Sequence, residues 1–323
     1  MPRRFALPAL ILALLTVPAL VGSAAEKPAA ADAKPKFLRL ARDDKGKPEF
    51  LETAVVRYKP DDVKKDLSID LIGAVHVGDK SYYDRLNKEF EQYDVVLYEL
   101  VAPEGTRVPK GGGKGSGHPV AILQNGMKDM LALEHQLNHV DYQAENLVHA
   151  DMSPDAFSKS MTDRGESMWT FVFRMMGQQM AQQSQHPDRA PETDMLFAFF
   201  KKDRPLALKR VLAEQFDDME EAMSIFAGPG GSTLITERNK VALKVLAEQI
   251  AAGKKKIGIF YGAGHMPDME KQLIKDFGVH RDSERWLVSW DLRSKDKPKA
   301  GGDADGKGQK VEKPTEELQP SAK

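Results

Sequence analysis

The chain has 323 residues, with 47 Lys+Arg against 48 Asp+Glu and no cysteine. Balanced charge leaves no electrostatic footprint for nucleic acid. The missing cysteine excludes a thiol nucleophile, a disulfide framework and a lipoprotein attachment site, and a chain this long can build its core without cross-links.

Residues 1–25 follow the pattern of a secretory signal: Arg3 and Arg4, an apolar stretch over 5–21, then Ser23-Ala24-Ala25 as small residues for cleavage. Pro8 and Pro18 and the short span argue against a retained anchor, since crossing a bilayer takes about 20 apolar residues. The mature protein is therefore expected in the periplasm or outside the cell, with no stable membrane span after cleavage. Residues 26–36, rich in Ala, Pro and Lys, read as a linker. Residues 295–323 have almost no apolar side chains and are predicted to be disordered. Residues 37–294 remain for one α/β domain.

Within it, 50–58 reads as a strand that turns at Pro60-Asp61-Asp62 into a second strand over 68–75, an edge hairpin. Residues 71–100 form a βαβ pattern. An apolar run ends on His76, an amphipathic helix over 80–93 aligns Tyr83, Leu86 and Phe90, and Val95-Val96-Leu97-Tyr98 ends on Glu99. One imidazole and one carboxylate thus each close a buried strand, where ligands collect in open α/β sheets. The glycine-rich loop 103–119 lacks the order of a phosphate-binding P-loop and reads as a surface loop near the site.

From 119 to 226 the pattern is almost wholly helical, with helices over 121–139, 154–161 (capped by Ser153), 166–185, 193–200 and 206–226. The 166–185 helix carries Trp169, Phe171, Met175, Met176 and Met180, either as core or as a soft groove for a peptide or lipid. After Gly228-Pro229-Gly230-Gly231, a long helix over 232–252 contains Glu237-Arg238-Asn239 and stops at Gly253. A strand over 256–261 runs into Gly262-Ala263-Gly264-His265. Pro267 opens the next helix, and 286–292 is a last strand. The expected fold class is α/β: a small βαβ-based mixed sheet with a large all-helical insertion at about 119–226.

The chemistry concentrates in two G-x-x-H turns, each closing a strand. A histidine there is often only bonded to backbone. If the two strands run parallel in one sheet, however, His76 and His265 emerge at the same edge and could bind a metal through neutral nitrogens, with Glu99 supplying a carboxylate. Glu237 could be a further ligand or general base, and Arg238 could hold a carboxylate, the substrate's or that of Glu99. Neighbours on a helix point about 100° apart, so Glu237 and Arg238 cannot both face one ligand; a solvated helix face is the alternative. Asn239, His149 and Asp151 are candidates for support around the site. His135 and His139 share a face on the expected 121–139 helix, but Gln136 stands where a zinc peptidase helix places its glutamate, so they read as an ordinary polar face. No G-x-S-x-G elbow is present.

With Gly73-Ala74-Val75-His76, the V-V-L-Y-E-L run at 95–100, I-T-E-R-N at 235–239 and Gly262-Ala263-Gly264-His265, the chain resembles the TraB/PrgY/Tiki superfamily, including GumN-like proteins, over about 69–292. The resemblance implies a βαβ-based fold related to erythromycin-esterase and haem-binding ChaN-like proteins. Tiki proteins are metal-dependent proteases using manganese or cobalt, and bacterial TraB-type members are linked to shutting down peptide pheromones. Carried onto this chain, it implies His76 and His265 as the functional pair, with Glu99 beside them and Glu237 and Arg238 in the E-R-N element. The expected function is a periplasmic or secreted metal-dependent hydrolase, a peptidase, with a divalent ion (Mn, Co or Zn) on His76, His265 and Glu99, and Glu99, Glu237 and Arg238 in the chemistry. Its partner would be a peptide or small molecule. The alternative is a non-catalytic peptide- or haem-binding protein of the same fold.

Overall fold

The computed structural model describes residues 36–103, 105–106, 108–111, 131–167, 196–227 and 230–294, over 217–227 as backbone only. The chain divides into Met1–Pro35 and Lys36–Lys323, and every described residue lies in the second unit. The expected signal and linker (save Lys36), the tail 295–323, most of the glycine-rich loop, and 168–185 of the Met-rich helix lie outside the described residues.

The architecture is a mixed α/β fold on a seven-stranded sheet. β1 (Leu38–Arg42) and β2 (Pro48–Pro60) pair antiparallel, and β2 pairs antiparallel with β3 (Ser68–Ala74). β3 lies parallel to β8 (Lys256–Gly262), β8 to β5 (Val95–Tyr98), and β5 to β7 (Leu147–His149). β9 (Val279–Asp291) pairs antiparallel with β2 along almost its whole length. β2 is therefore an interior strand: β1 and β3 share one side of it and β9 takes the other, so it is not the edge strand that the hairpin pattern suggests. A two-stranded ribbon, β4 (Val77–Gly78) with β6 (Glu134–His135), stands apart from the main sheet.

Period-2 alternation feeds both sheet faces. Leu71, Leu97, Ile257 and Ile259 point into one core, packed with Ala242 and Leu246 of α5 (Arg238–Ala251) and Met269 and Leu273 of α6 (Met266–Phe277). Ile72, Val96, Tyr98 and Phe260 point into the other, against Tyr83, Leu86 and Phe90 of α1 (Lys80–Phe90). Each fully buried large side chain contributes about 1.5–3 kcal/mol of transfer free energy, so the four parallel strands are held rigidly between helices. A third cluster joins Leu38, Leu51, Trp290 and Leu292 to Leu208 and Ala213 of α4 (Arg204–Ala227).

The span 119–226 is not all-helical. Glu134–His135 is a strand, and Leu147–His149 joins the main sheet. The end of the expected 121–139 helix is instead β6 followed by the one-turn α2 (Gln136–His139). Ala132 has φ 52 and cannot lie in a right-handed helix. His135 and His139 consequently do not share a helix face. His139 pairs with Glu134 at 3.1 Å and stacks on Tyr83. α3 (Pro154–Asp163) starts at Ser153, whose side chain accepts from the Ala156 N–H. The 232–252 helix opens as a π-helical turn, Thr233–Glu237, capped by Ser232, before α5 continues.

Candidate functional site at the carboxyl edge of the sheet

Parallel register places four polar residues just beyond four adjacent strand ends. Ala74 lies opposite Gly262, and Tyr98 opposite both Phe260 and His149. The chain then continues to His76 after β3, Glu99 after β5, Asp151 after β7 and His265 after β8. Gly262 is the floor of this crevice. A Cβ there would lie 3.3 Å from Glu99 Oε2, 3.7 Å from His76 Nε2 and 3.8 Å from the His265 ring. The absence of a side chain at 262 is what allows the three groups to approach one another.

Each imidazole is tethered through Nδ1. Asn239 donates from Nδ2 to Asp268 Oδ2 at 2.8 Å and to the His265 carbonyl at 3.1 Å, so its Oδ1 faces His265 Nδ1 at 2.8 Å. A carboxylate only accepts, which fixes the amide orientation and puts the proton of His265 on Nδ1. Gln136 repeats this arrangement for His76: Nε2 donates to the Tyr142 hydroxyl at 2.7 Å, and Oε1 faces His76 Nδ1 at 3.2 Å. Nε2 of each ring turns toward the crevice, where that of His265 meets Arg238. His265 is buried, whereas His76 is exposed, so the site opens to solvent on the His76 side.

Arg238 ties the floor together. Its Nε and Nη2 make a bidentate pair with Asp151 at 2.9 and 2.6 Å, Nη2 also reaches Glu99 Oε1 at 2.7 Å, and Nη1 approaches His265 Nε2 at 3.3 Å. The other Glu99 oxygen accepts the Gly262 N–H at 2.7 Å. Burial alone would raise the Glu99 pKa. It is overcome by His265 and Arg238, then His76 and the Gly262 N–H, which together hold the carboxyl well below its usual range. Burial is also the main effect at His265, pushing its pKa down to about 4 against the pull of Glu99, so the ring is neutral at pH 7. Burial works against the charge on Arg238, but its bonds to Asp151 and the Glu99 charge raise its pKa and fix it as a cation. Two carboxylates, Glu99 and Asp151, thus share the one guanidinium of Arg238 at the floor of the crevice.

The expected site residues separate as follows. His76, Glu99, Arg238 and His265 converge, with Asn239 behind His265 and Asp151 under Arg238. Glu237 points away: its Oε1 meets Arg164 at 3.3 Å and Lys240 at 3.0 Å. The π turn decides this split. Ser232 accepts from Glu237 N five residues on, and Arg238 Nη1 reaches the Leu234 carbonyl at 3.4 Å. His149 Nε2 donates to the Leu100 carbonyl at 2.5 Å, bracing the segment that follows Glu99. Gln136 and Tyr142 are additions that the sequence pattern did not single out. They arrive through the β4–β6 ribbon and the bond from Gln136 N to the His76 carbonyl at 2.9 Å. Beyond His76 the chain is clamped by Trp290 Nε1 on the Val77 carbonyl at 2.7 Å and by Lys209 Nζ on Asp79 at 2.7 Å.

Two imidazoles whose Nδ1 atoms face amide oxygens and one ionised carboxylate are donor types that divalent cations use. Among the described residues, no three such donors are drawn into a closed ligand set, and the Arg238 guanidinium bridges His265 and Glu99. Binding an ion would require the Nη1 contact to open. Comparison with family models, with curated proteins and with solved structures finds no match to this chain.

Proposed function

We propose that this chain is an exported metal-dependent hydrolase, a peptidase of the TraB/PrgY/Tiki kind. The observation that carries the reading is the matched pair of imidazoles, each tethered through Nδ1 and turning Nε2 toward one ionised carboxylate. His76 Nε2, His265 Nε2 and Glu99 would hold the ion, with manganese, cobalt or zinc as candidates. Bound there, it would supply Lewis-acid polarisation of a carbonyl and lower the pKa of water from about 15.7 towards 7. Arg238 keeps Glu99 ionised and aimed, and Asp151 keeps Arg238 in place. Glu237, engaged with Arg164 and Lys240, is left out of the chemistry. The proposed wall of the site is the helical part of the 119–226 span, where α4 packs beside the Ala263–His265 turn.

The test is hydrolysis of a quenched-fluorescent peptide library by the mature chain with and without added Mn²⁺, Co²⁺ or Zn²⁺. The expected result is metal-stimulated cleavage lost in His76→Ala and Glu99→Gln and kept in Glu237→Gln. Cleavage unaffected by these substitutions, or by chelator, would overturn it. The guanidinium bridge from His265 to Glu99 favours a second reading, a peptide-binding protein without turnover. It predicts saturable peptide binding with no cleavage under any metal; haem binding, the other form of this reading, predicts a Soret band on reconstitution.

A further inference from the structure

The end of α3 and the segment 230–237 are tied together on the outer side of the turn that carries Arg238. α3 closes with Glu166 N on the Met161 carbonyl at 2.8 Å and Gly165 N on the Thr162 carbonyl at 3.0 Å, and Gly165, at φ 62, turns the chain back. Glu166 is thereby brought beside Arg164. Its Oε1 accepts from Arg164 Nε at 3.1 Å, and its Oε2 accepts the Thr233 N–H at 2.9 Å. Arg164 Nη2 donates to the Gly230 and Gly231 carbonyls at 2.8 and 2.6 Å, and Nη1 donates to Glu237 Oε1 at 3.3 Å. The Ser160 and Thr233 hydroxyls bond at 2.9 Å. What these bonds hold is a costly turn. Thr233–Glu237 is π-helical, Gly231 before it has φ 74, and the Thr236 hydroxyl is buried with no partner among the described residues. Arg238 follows directly. Its N–H bonds the Ile235 carbonyl, while the Leu234 carbonyl, the partner of that N–H in an ideal α-helix, accepts from Nη1. The winding of the turn and the aim of the guanidinium are thus one geometry.

We propose that Arg164 and Glu166 are positioning residues for the crevice: gripping the π turn from outside, they hold Glu237 outward and keep the Arg238 fork aimed at Glu99 and Asp151. A guanidinium suits position 164, since one planar side chain spans two successive carbonyls and two carboxylates. A carboxylate suits position 166, since both of its oxygens accept, one from the first N–H of the turn and one from Arg164. The consequence for turnover rests on the hydrolase reading; the consequence for Arg238 does not.

The experiment compares the parent with Arg164→Met, Glu166→Gln and a control, Lys159→Gln, which breaks an exposed ion pair within α3. Glu166→Gln is the milder variant: it keeps the shape and turns one acceptor into a donor. Solution NMR of the full chain without metal reads the Arg238 Nε–H signal, its solvent exchange and the His265 ring ¹⁵N shifts. Both variants should shift the Arg238 and His265 signals and speed Arg238 Nε–H exchange about tenfold or more. The melting temperature should fall by at most about 4 °C, and the control should match the parent. With a peptide substrate, kcat should fall about 10–100-fold at little-changed KM, because the displaced groups act on Glu99. A purely structural tie would lower the melting temperature while leaving the Arg238 and His265 signals unchanged, and that result would overturn the proposal. So would the same spectral change in the Lys159→Gln control. The spectra need no turnover, so a parent that cleaves nothing but shows the spectral changes would count against the hydrolase reading and uphold the positioning.

Discussion

Imidazole tautomer is the decisive variable at the scale of single residues. Asn239 and Gln136 each present an amide oxygen to Nδ1, which turns Nε2 of each ring toward the crevice, that of His265 onto the Arg238 guanidinium. Gln136→Leu should release His76 to its other tautomer, visible in the ring ¹⁵N shifts, and lower activity or metal affinity by about 10–100-fold. An unchanged His76 spectrum would show that the amide is not what holds the ring. Arg238 is a different case, because it neutralises two buried carboxylates. Arg238→Met should destabilise the chain by about 3–5 kcal/mol in urea unfolding, and Arg238→Lys should recover little of that, since an ammonium cannot replace the fork on Asp151. Protonation adds a pH signature. His265 has a folded pKa of about 4 against an ordinary 6.5, so below pH 6.5 the unfolded chain takes up a proton that the folded one refuses. The stability of the metal-free protein should be full above about pH 6.5 and fall by on the order of 3 kcal/mol towards pH 4. Glu99, with its pKa depressed by the fold, adds a further loss below about pH 4.5. Urea midpoints measured with chelator at pH 7, 5.5 and 4.5 check both the direction and the window, and His265→Gln should flatten the upper part.

Strand ends carry the site at the scale of elements, and they were legible. The runs over 71–75, 95–98 and 257–260 are continuously apolar because both sheet faces are covered, so the polar residue that follows each run stands out. β7 was not legible, because three residues, Leu147-Val148-His149, give no periodicity; Asp151 could be placed only near the site, not under Arg238. Gln136 was illegible for another reason. Its contact with His76 depends on the two-residue β4–β6 ribbon, a pairing that no local pattern announces, and helical spacing over 121–139 pointed elsewhere. Only 286–292 of β9 was visible because its first half, Arg281-Asp282-Ser283-Glu284-Arg285, is charged, as suits a strand that pairs, among the described residues, with β2 alone. The E-R-N element was legible as a site motif but not in its orientation, since a π turn, not an ideal α-helix, sets which of Glu237 and Arg238 turns inward. Gly262 offers a test at this scale. Gly262→Ala would push its methyl against Glu99 Oε2 at 3.3 Å, with an expected stability loss of about 1–3 kcal/mol and a much larger fractional loss of activity. Full activity in that variant would remove the close approach from the site.

For the whole molecule, the sheet brings together residues separated by almost two hundred positions in the chain, from His76 to His265, and three packed clusters hold that edge rigid. Rigid placement is what a site built from strand ends requires, since a misplacement of about 1 Å can cost about 100-fold in rate. The most direct measurement is calorimetric titration of Mn²⁺, Co²⁺ and Zn²⁺ into the metal-free mature chain, alongside His76→Ala and His265→Ala variants shown to be folded. One saturable site per chain in the parent, lost or weakened at least a hundredfold in each variant, is the expected result. A parent that binds none of the three ions, or variants that bind as the parent does, would contradict the placement of a metal at these two turns.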